Sequence, residues 1–440
     1  MKMKRILTIA LIGAVTANMN AQSGQTWTLR QCIDYALTNN VKIKQTELTT
    51  KENEIEVNTN KWARLPNLSS SASQSWSWGR AASPVDNSYV DTHNANTNFS
   101  MSSNVPIFTG FTIPNKYKLS QLQLKAALSD LQKAKEDLSI NIASGYLQAL
   151  LNKELWNVAE EQVVLSQQQL DRLSRMEELG KASPAEVAEA RANLEQNRLT
   201  SVQNANSYKL SLLDLSQMME LPTPEGFEIL KPDTMIFMQL TPPDDIYRVA
   251  AAMKPEIQAA QYRLDGSAIN VKLARAGYMP QLSFGMGLGT NYYTLTGVKT
   301  DNFSKQIKNN LNKYIGFNLS VPIFDRFSTR NSIRTAKLQQ LNLSLQLENS
   351  KKTLYKEIQQ AWYNAVASES KYQSSETALD AAKASFQLMK GKYENGKATS
   401  VEYNEAQLKL RNAESNLLQA KYDYLFRGKI LDFYKGERIQ

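Results

Sequence analysis

The sequence predicts a mainly α-helical fold with a smaller β component, built as an internal two-fold repeat. Three observations predict it. Two very long stretches contain almost no helix breaker, shorter stretches alternate apolar with small polar residues, and both patterns occur in each half of the 440-residue chain. The 18 glycines and 13 prolines make up about 7 % of the residues, against roughly 12 % in average usage. Turns are therefore few and the elements are long.

The repeat is visible in three short motifs that recur in the same order. They are Val-Pro-Ile-Phe at 105–108 and 321–324, Gly-Lys-Ala-Ser/Thr at 180–183 and 396–399, and Leu/Met-Pro-x-Leu-Ser at 65–69 and 279–283. The offset is 216 residues for the first two motifs and 214 for the third. Three matches in one order indicate an internal duplication. We expect one repeat over 22–225 and another over 226–440, each with a helix, two strands, a very long helix, a tight turn and a second long helix.

The first 21 residues predict a cleaved secretory signal peptide over 1–21. Lysines and an arginine precede the apolar run 6–15, and small and polar residues follow as far as Ala21. No cysteine stands at the predicted cleavage site, so we expect the protein not to be a lipoprotein. Beyond this segment no apolar run approaches the roughly 18 residues that a membrane helix needs. If the exported protein enters a membrane, it must cross as a β-barrel.

Composition excludes most enzyme chemistry. Cys32 and His93 are the single cysteine and histidine, which excludes disulfide frameworks, Cys/His zinc sites and well-supported Ser-His-Asp triads. The carboxylates lie at turns and on helix surfaces without a basic or metal-binding partner, so we expect no enzyme, cofactor or metal site. The net charge of +9 is spread along the chain. Without a basic block it does not indicate nucleic-acid binding.

Four segments alternate apolar and small polar residues with period two, which predicts strands with different solvents on their two faces. They lie at about 67–79, 97–107, 280–293 and 313–323. Their length of about ten residues, with aromatic residues such as Trp76 and Tyr292 near one end, is typical of outer-membrane strands. A soluble half-buried sheet is the alternative. The polar linkers 80–96 and 294–312 are predicted to be outward loops.

Two long helices are predicted over 115–179 and 325–390. At 1.5 Å per residue such a helix extends roughly 100 Å, more than a compact domain needs. In the last helix Ala406, Leu410 and Ala413 step by four and three residues, the interval of a coiled coil. A lipid-facing helix would be apolar all round, and these helices are not. We interpret these helices as coiled-coil struts.

Four strands cannot close a barrel, and an open sheet edge in lipid leaves backbone groups unpaired. The sequence therefore predicts an oligomer. Two, three or four copies would give 8, 12 or 16 strands, all even numbers that bacterial barrels adopt.

With these features in place, the whole mature chain resembles the TolC-like outer-membrane efflux family. The resemblance is carried by the doubled Val-Pro-Ile-Phe-x-x-Phe elements, the Leu-Pro-x-Leu-Ser strand start, the two Gly-Lys-Ala-Ser/Thr turns and the opening Trp-Thr-Leu segment at 27–40. It implies a homotrimer whose 12-stranded outer-membrane β-barrel, with four strands per chain, continues into a long periplasmic α-helical coiled-coil barrel.

The resemblance also implies the function and the partners. The chain would be the passive exit duct of a tripartite efflux or type I secretion system, in contact with outer-membrane lipid. It would dock a periplasmic adaptor (membrane fusion) protein and an inner-membrane pump. Whether the duct exports drugs, metal ions or proteins stays open, as does the class of the pump. A periplasmic coiled-coil adaptor or scaffold is the alternative function, although it does not need four amphipathic strands.

The family's functional residues transfer to the two turns. The resemblance implies a periplasmic gate of Tyr393, Glu402, Glu405, Glu186 and Glu189, with Ala398 replacing a basic link of the family. The implied adaptor-docking tips are Leu179, Gly180, Lys181, Ser183, Asn395, Gly396, Lys397 and Thr399.

Two interpretations of the glutamates stay open. Glu402 and Glu405, spaced by three, share a helix face, so three copies would stack them into rings that attract cations. Helix capping alone would equally explain Glu186 and Glu402, because Ser183 and Thr399 precede them by three residues.

Overall fold

A computed structural model of the chain describes residues 26–82, 87–222, 225–231, 240–295 and 298–437. The predicted signal peptide 1–21 lies outside the described residues. The chain forms two compact units, one with the residues up to Glu47, Leu131–Lys254 and those from Lys351 onward, the other with Leu48–Asp130 and Pro255–Ser350. The units are therefore not the sequence repeats 22–225 and 226–440, because the long helix of each repeat runs through both units.

The elements follow the order expected from the repeat. They are β1 (Thr26–Trp27), α1 (Leu29–Asn39), α2 (Val41–Trp62), β2 (Ser69–Ala82), β3 (Tyr89–Thr109), α3 (Thr112–Glu178), α4 (Pro184–Met218), β4 (Glu228–Ile229), α5 (Pro243–Met253), α6 (Pro255–Arg275), β5 (Gln281–Leu295), α7 (Phe303–Asn309), β6 (Asn312–Ser320), α8 (Ser328–Glu394) and α9 (Ser400–Lys435). The mainly α fold with a β component is confirmed. Among the described helices, none combines the length and the apolar character that a membrane span requires.

The two long helices are the dominant elements. α3 and α8 each contain 67 residues, which corresponds to roughly 100 Å at 1.5 Å per residue. Each begins and ends within about four residues of the range predicted from the scarcity of breakers. Glycine and proline spacing is thus sufficient to locate these helices.

The second unit contains an antiparallel sheet of order β2-β3-β5-β6. Its hairpin β2–β3 extends further than the alternation predicts, since Ala82 pairs with Tyr89. Most of the predicted outward loop 80–96 is therefore strand, because cross-strand pairing satisfies these polar backbone groups. The predicted loop 294–312 contains helix α7. β6 ends at Ser320, because β5 begins at its partner Gln281 and offers nothing further to pair with.

The register gives the sheet two chemically different faces. On one face Val105, Phe284 and Phe317 lie side by side across three strands. On the other, Ser71, Ser100, Gly289 and Asn312 form a row across all four strands. The alternation read from the sequence therefore becomes an apolar face and a face of small polar residues.

The core of the first unit is helical. Residues of α1, α3, α4 and α9 pack around the fully buried Cys32, Leu150 and Leu215. The parallel pair β1–β4 closes this core, and the hydroxyl of Tyr146 lies within hydrogen-bonding reach of the carbonyl oxygens of Trp27 and Leu230. Burial raises the pKa of the Cys32 thiol to about 12, so at neutral pH the thiol is protonated and unreactive.

Candidate gate and docking site at the helical turns

The turn between α3 and α4 closes with a paired backbone motif. The Lys181 N–H donates to the Met176 carbonyl at 2.7 Å, and the Gly180 N–H donates to the Glu177 carbonyl at 2.8 Å. This is the Schellman pattern, which needs a residue in the left-handed region. Gly180 supplies it with φ of +67°.

The turn between α8 and α9 repeats this geometry. The Lys397 N–H donates to the Lys392 carbonyl at 2.8 Å and the Gly396 N–H donates to the Tyr393 carbonyl at 3.1 Å. Gly396 has φ of +66°. The repeated Gly-Lys dipeptide therefore specifies the same backbone turn twice.

Both following helices start with a capping box. The Ser183 N–H donates to Glu186 Oε2 at 2.8 Å, and the Glu186 N–H donates back to Ser183 Oγ at 3.3 Å. Thr399 and Glu402 make the equivalent bonds at 2.8 and 3.2 Å. These bonds lower the pKa of both carboxyl groups, so each remains ionised at neutral pH. The capping interpretation of Glu186 and Glu402 is confirmed.

Glu189 joins the two repeats within one chain. Its Oε1 accepts a hydrogen bond from Asn404 Nδ2 at 2.9 Å, and its Oε2 accepts one from Ser400 Oγ at 3.2 Å. Both donors lie on the first two turns of α9, whereas Glu189 lies on α4. A half-buried carboxylate with two donors from the other hairpin holds α4 and α9 together, because hydrogen bonds to an ionised group are the stronger ones.

The equivalent residue of the second repeat, Glu405, lies in a different environment. It is exposed and pairs with Lys409 of its own helix, with 2.7 Å between Glu405 Oε1 and Lys409 Nζ. The first repeat has Pro184 and Ala188 at the positions of Ser400 and Asn404. Neither side chain can donate a hydrogen bond. These positions of α4 therefore cannot bind Glu405 in the way that Ser400 and Asn404 of α9 bind Glu189.

Tyr393 packs beside the first-repeat glutamates. Its ring stacks on Tyr403 with centroids 4.8 Å apart, and its hydroxyl accepts from Gln169 Nε2 at 3.4 Å. Burial, followed by the nearby Glu186 carboxylate, raises the pKa of Tyr393, which keeps the phenol neutral. Tyr393, Glu186 and Glu189 line one small cavity of about 30 Å³.

The structure thus divides the predicted gate residues into two sets. Tyr393, Glu186 and Glu189 lie together around that cavity, while Glu402 and Glu405 are exposed on α9 and do not line it. Helix geometry explains why the two sets are separate. Ser400 and Asn404 are four residues apart and share the side of α9 that faces α4, whereas Glu402 and Glu405 lie on other sides of α9.

Several polar residues that bridge the hairpins were missed by sequence reasoning. Arg411 Nη1 on α9 donates to Asn197 Oδ1 on α4 at 2.7 Å. Within the first hairpin, Asn197 Nδ2 in turn donates to Ser166 Oγ on α3 at 2.5 Å. Ser400 and Asn404 carry a detectable signal, because each is a polar residue where the first repeat has an apolar one. These two breaks in the internal repeat coincide with positions where the second repeat contacts the first.

The predicted docking tips form an exposed surface. All of the residues implied by the family are exposed, namely Leu179, Gly180, Lys181, Ser183, Asn395, Gly396, Lys397 and Thr399. Leu179 is 70 % exposed although it is a large apolar side chain. A Cβ atom added at Gly180 or Gly396 would meet nothing within 4 Å. The tips are therefore open to a partner.

Among the side chains that the structure describes, no group of three or more His, Cys, Asp or Glu residues is placed to hold a metal ion.

The family model described as outer membrane efflux protein matches residues 32–219 and 246–431. The chain belongs to the outer membrane efflux protein family. One match falls in each half of the chain. The resemblance stated from the sequence is confirmed, and the protein is an outer-membrane efflux channel and not an enzyme, which sets aside the adaptor or scaffold alternative.

Two curated proteins and one solved structure are similar to this chain. The chain is 23 % identical to the outer membrane protein TolC of Salmonella enteritidis, over 97 % of this chain and 84 % of that protein. It is 22 % identical to the alkaline protease secretion protein AprF of Pseudomonas aeruginosa, over 71 % of this chain and 64 % of that one. The crystal structure of the Campylobacter jejuni CmeC outer membrane channel superposes with a TM-score of 0.79 at 20 % identity, over 92 % and 84 % of the two chains.

Proposed function

We propose that three copies of this chain form a passive exit duct, with a 12-stranded barrel in the outer membrane and a helical tunnel in the periplasm. The observation that carries this proposal is the four-stranded sheet with one apolar face. Its outer strands β2 and β6 each have one edge that no other described strand of the chain pairs with. In lipid such edges must be closed by other copies. Every side chain of β6 is exposed in the single chain, as expected of a strand that awaits a neighbour.

The predicted signal peptide supports export of the chain to the outer membrane. Residues 1–21 have the charged, apolar and small-residue order of a cleaved signal peptide, and no cysteine follows Ala21 directly. We infer that the mature channel carries no lipid anchor.

The two sequence repeats, 22–225 and 226–440, each contribute one helical hairpin, so a trimer would have six similar hairpins.

The tips are the proposed docking surface for a periplasmic adaptor protein, through which the duct meets an inner-membrane pump. Both turns have the same Schellman backbone and an exposed Gly-Lys pair. One adaptor surface could therefore recognise either turn. The exported compound stays undefined, because a passive duct leaves substrate choice to the pump.

The proposed gate is formed by residues of the same two hairpins. The bonds from Ser400 and Asn404 to Glu189 hold the two hairpins of one chain together, and Tyr393 packs beside them. Glu402 and Glu405 are proposed to form the stacked acidic rings of the trimer. In this arrangement Glu189 stabilises the resting position of the hairpins, and the acidic rings attract the cations that pass through the pore.

The trimer is tested by the mass of the detergent-extracted particle. We expect light scattering with the detergent contribution subtracted to give three chains per particle from the outer-membrane fraction. Each chain has a mass of 49.5 kDa before removal of the signal peptide. A soluble periplasmic monomer would contradict the proposal, and two or four chains would replace the 12-stranded barrel with one of 8 or 16 strands.

The role of Glu189 is tested by loosening the hairpin contact. We expect Glu189→Ala to raise the open probability of the reconstituted channel by about tenfold or more, since hydrogen bonds to a charged group contribute about 1.5 kcal/mol or more each and 1.4 kcal/mol is a factor of ten. The measurement is single-channel recording in planar bilayers. Ser400→Ala with Asn404→Ala should give the same change from the other side of the contact.

A matched control for this test is Glu195→Ala. Glu195 lies on the same helix α4 and pairs with Arg198 of that helix at 2.7 Å, without a partner from α9 among the bonds described. We expect it to leave the open probability unchanged. Equal effects of the Glu189 and Glu195 variants would show that a change of charge on α4, rather than the hairpin contact, controls opening.

A further inference from the structure

The polar face of the sheet carries no acidic or basic side chain in the strands that the structure describes. Cross-strand pairing places serines of β2, serines and asparagines of β3, glycines of β5 and asparagines of β6 on this face. The acidic and basic residues of the same strands fall on the apolar face, namely Arg80, Asp91, His93 and Lys313. In the proposed trimer the polar face lines the lumen, because the apolar face meets lipid. The barrel lumen is therefore neutral and rich in hydroxyl and amide groups.

Tyr314 of β6 adds an aromatic ring to this face. It pairs with Gly287 of β5, and a Cβ atom added at Gly287 would lie 2.7 and 2.8 Å from two carbon atoms of the Tyr314 ring. The ring therefore lies across the sheet, in the space that a side chain at Gly287 would occupy. Tyr314 remains 54 % exposed, so its ring presents apolar surface to the lumen.

A hollow opens beside this ring. Gly316 follows two residues later on the same face and pairs with Gly285 of β5, which pairs in turn with Asn104 of β3. A Cβ atom added at Gly285 or Gly316 would meet nothing within 4 Å, so the two glycines form an open floor. Asn104 and Asn318 are exposed at the margins, and their amide groups can both donate and accept hydrogen bonds. The hollow thus combines an aromatic wall with hydrogen-bonding groups at its edge.

This combination matches the two kinds of surface that a neutral sugar ring presents. The C–H groups of a sugar ring pack on the electron-rich face of an aromatic ring, and its hydroxyl groups donate to and accept from amides and serines. A charged cargo would find no counter-charge on this face. A purely aromatic cargo could stack on Tyr314, but it would displace water from the asparagine amides without replacing the lost hydrogen bonds, which lowers affinity.

We propose that this hollow is a subsite for the ring of a neutral carbohydrate. The residues that form it are Tyr314, Gly316, Gly285, Asn104 and Asn318. The inference rests on the proposed function, since the polar face becomes a lumen only in a closed barrel, where three copies would give three subsites. The pump still decides which molecules enter the duct, and the subsite acts on a neutral glycan or glycoside that has entered.

Blockade of the reconstituted channel by maltohexaose tests the subsite. The full-length channel is recorded in a planar bilayer with maltohexaose, or with a polyethylene glycol of matched mass, which is a neutral polymer without rings. We expect maltohexaose to interrupt the single-channel current with longer dwell times than the polyethylene glycol. Equal blockade by the two polymers would show that the lumen distinguishes size alone, and this result would overturn the subsite.

Two variants remove the hollow in different ways. Tyr314→Ala removes the aromatic wall, and Gly316→Leu fills the floor, where the open space accepts a side chain without a clash. We expect each to weaken the blockade by maltohexaose about twofold to tenfold, the range that an aromatic contact provides. Tyr314→Phe keeps the ring and should keep the blockade, which separates the effect of stacking from that of the hydroxyl group.

Ser73→Leu is the matched control for added bulk. Ser73 lies on the same face of β2 and pairs with Asn98, which is six residues along β3 from Asn104. At about 3.4 Å per residue this row is roughly 20 Å from the hollow. We expect the control to leave the blockade unchanged. Equal losses in Ser73→Leu and Gly316→Leu would show that a general narrowing of the lumen changes the blockade, and they would overturn the inference.

The outcomes separate this inference from the proposed function. Channels that conduct but show no excess blockade by maltohexaose would overturn the subsite and leave the exit duct standing. Preparations that form no conducting channel would overturn the duct and the subsite together. Blockade that persists unchanged in both Tyr314→Ala and Gly316→Leu would locate carbohydrate binding elsewhere in the pore and refute the subsite.

Discussion

Replacing Gly396 with tryptophan is expected to abolish efflux while leaving the amount of channel in the outer membrane unchanged. Gly396 lies at the exposed tip of the second hairpin with φ of +66°. Since a Cβ there would meet nothing within 4 Å, a large side chain would project away from the chain into the proposed adaptor contact. The left-handed backbone adds a cost of about 1–2 kcal/mol for a residue other than glycine, which a 67-residue helix and its capped neighbour can tolerate.

The measurement is efflux in cells that contain the adaptor and pump, together with the quantity of channel in the outer-membrane fraction. Gly396→Ala is the matched control, because it carries the same backbone strain with little bulk and should retain most of the efflux. Gly180→Trp should reproduce the loss at the first hairpin, whose turn has the same backbone. Wild-type efflux in both tryptophan variants would refute the assignment of the tips as the docking surface.

Replacing Glu402 and Glu405 together with glutamine is expected to lower the cation selectivity of the reconstituted pore several-fold. Hydrogen bonds from Thr399 hold the pKa of Glu402 low, so this carboxylate is charged at neutral pH. In a trimer the two positions would form stacked acidic rings, and the substitution removes two negative charges from each chain. The loss of the capping carboxylate costs about 1 kcal/mol, so the fold should survive.

Reversal potentials across a salt gradient give the permeability ratio directly. Lys409→Gln is an informative companion, because Lys409 pairs with Glu405 at 2.7 Å and its removal should raise the cation selectivity. Glu195→Gln, on the exposed face of α4, should leave the reversal potential and the permeability ratio unchanged. If selectivity stays the same in the double glutamine variant, these carboxylates do not line the ion path and the ring assignment is wrong.

Much of the candidate site could be predicted because its determinants are local. The two capping boxes need only a Ser or Thr followed by Glu three residues later, and the Schellman turns need only a glycine where the backbone turns left-handed. Both signals lie within a few residues of Gly180 and Gly396. Their outcome does not depend on the distant chain, so the sequence pattern was sufficient.

The partners of Glu189 could not be predicted by the same means. Ser400 and Asn404 lie more than two hundred residues away, and no residue near Glu189 in the sequence indicates them. Its repeat equivalent Glu405 differs locally in having Lys409 as a partner four residues later. The two acquire different roles because hairpin packing brings donors to one and leaves the other with Lys409. The sequence therefore predicted which residues form the tips, but not which glutamate joins the hairpins.

The strands show the same division. Alternation indicates where side chains change face, so four strands and their apolar face were predicted from residues such as Phe284 and Phe317. The ends of β2 and β3 near Ala82 and Tyr89 were not, because a polar segment becomes strand as soon as a neighbour pairs with its backbone. The sequence by itself determined the repeat, the long helices, the turns and the family. Only the tertiary structure decided the strand ends, the compact units and the partner of each glutamate, because those depend on contacts between residues far apart in the chain.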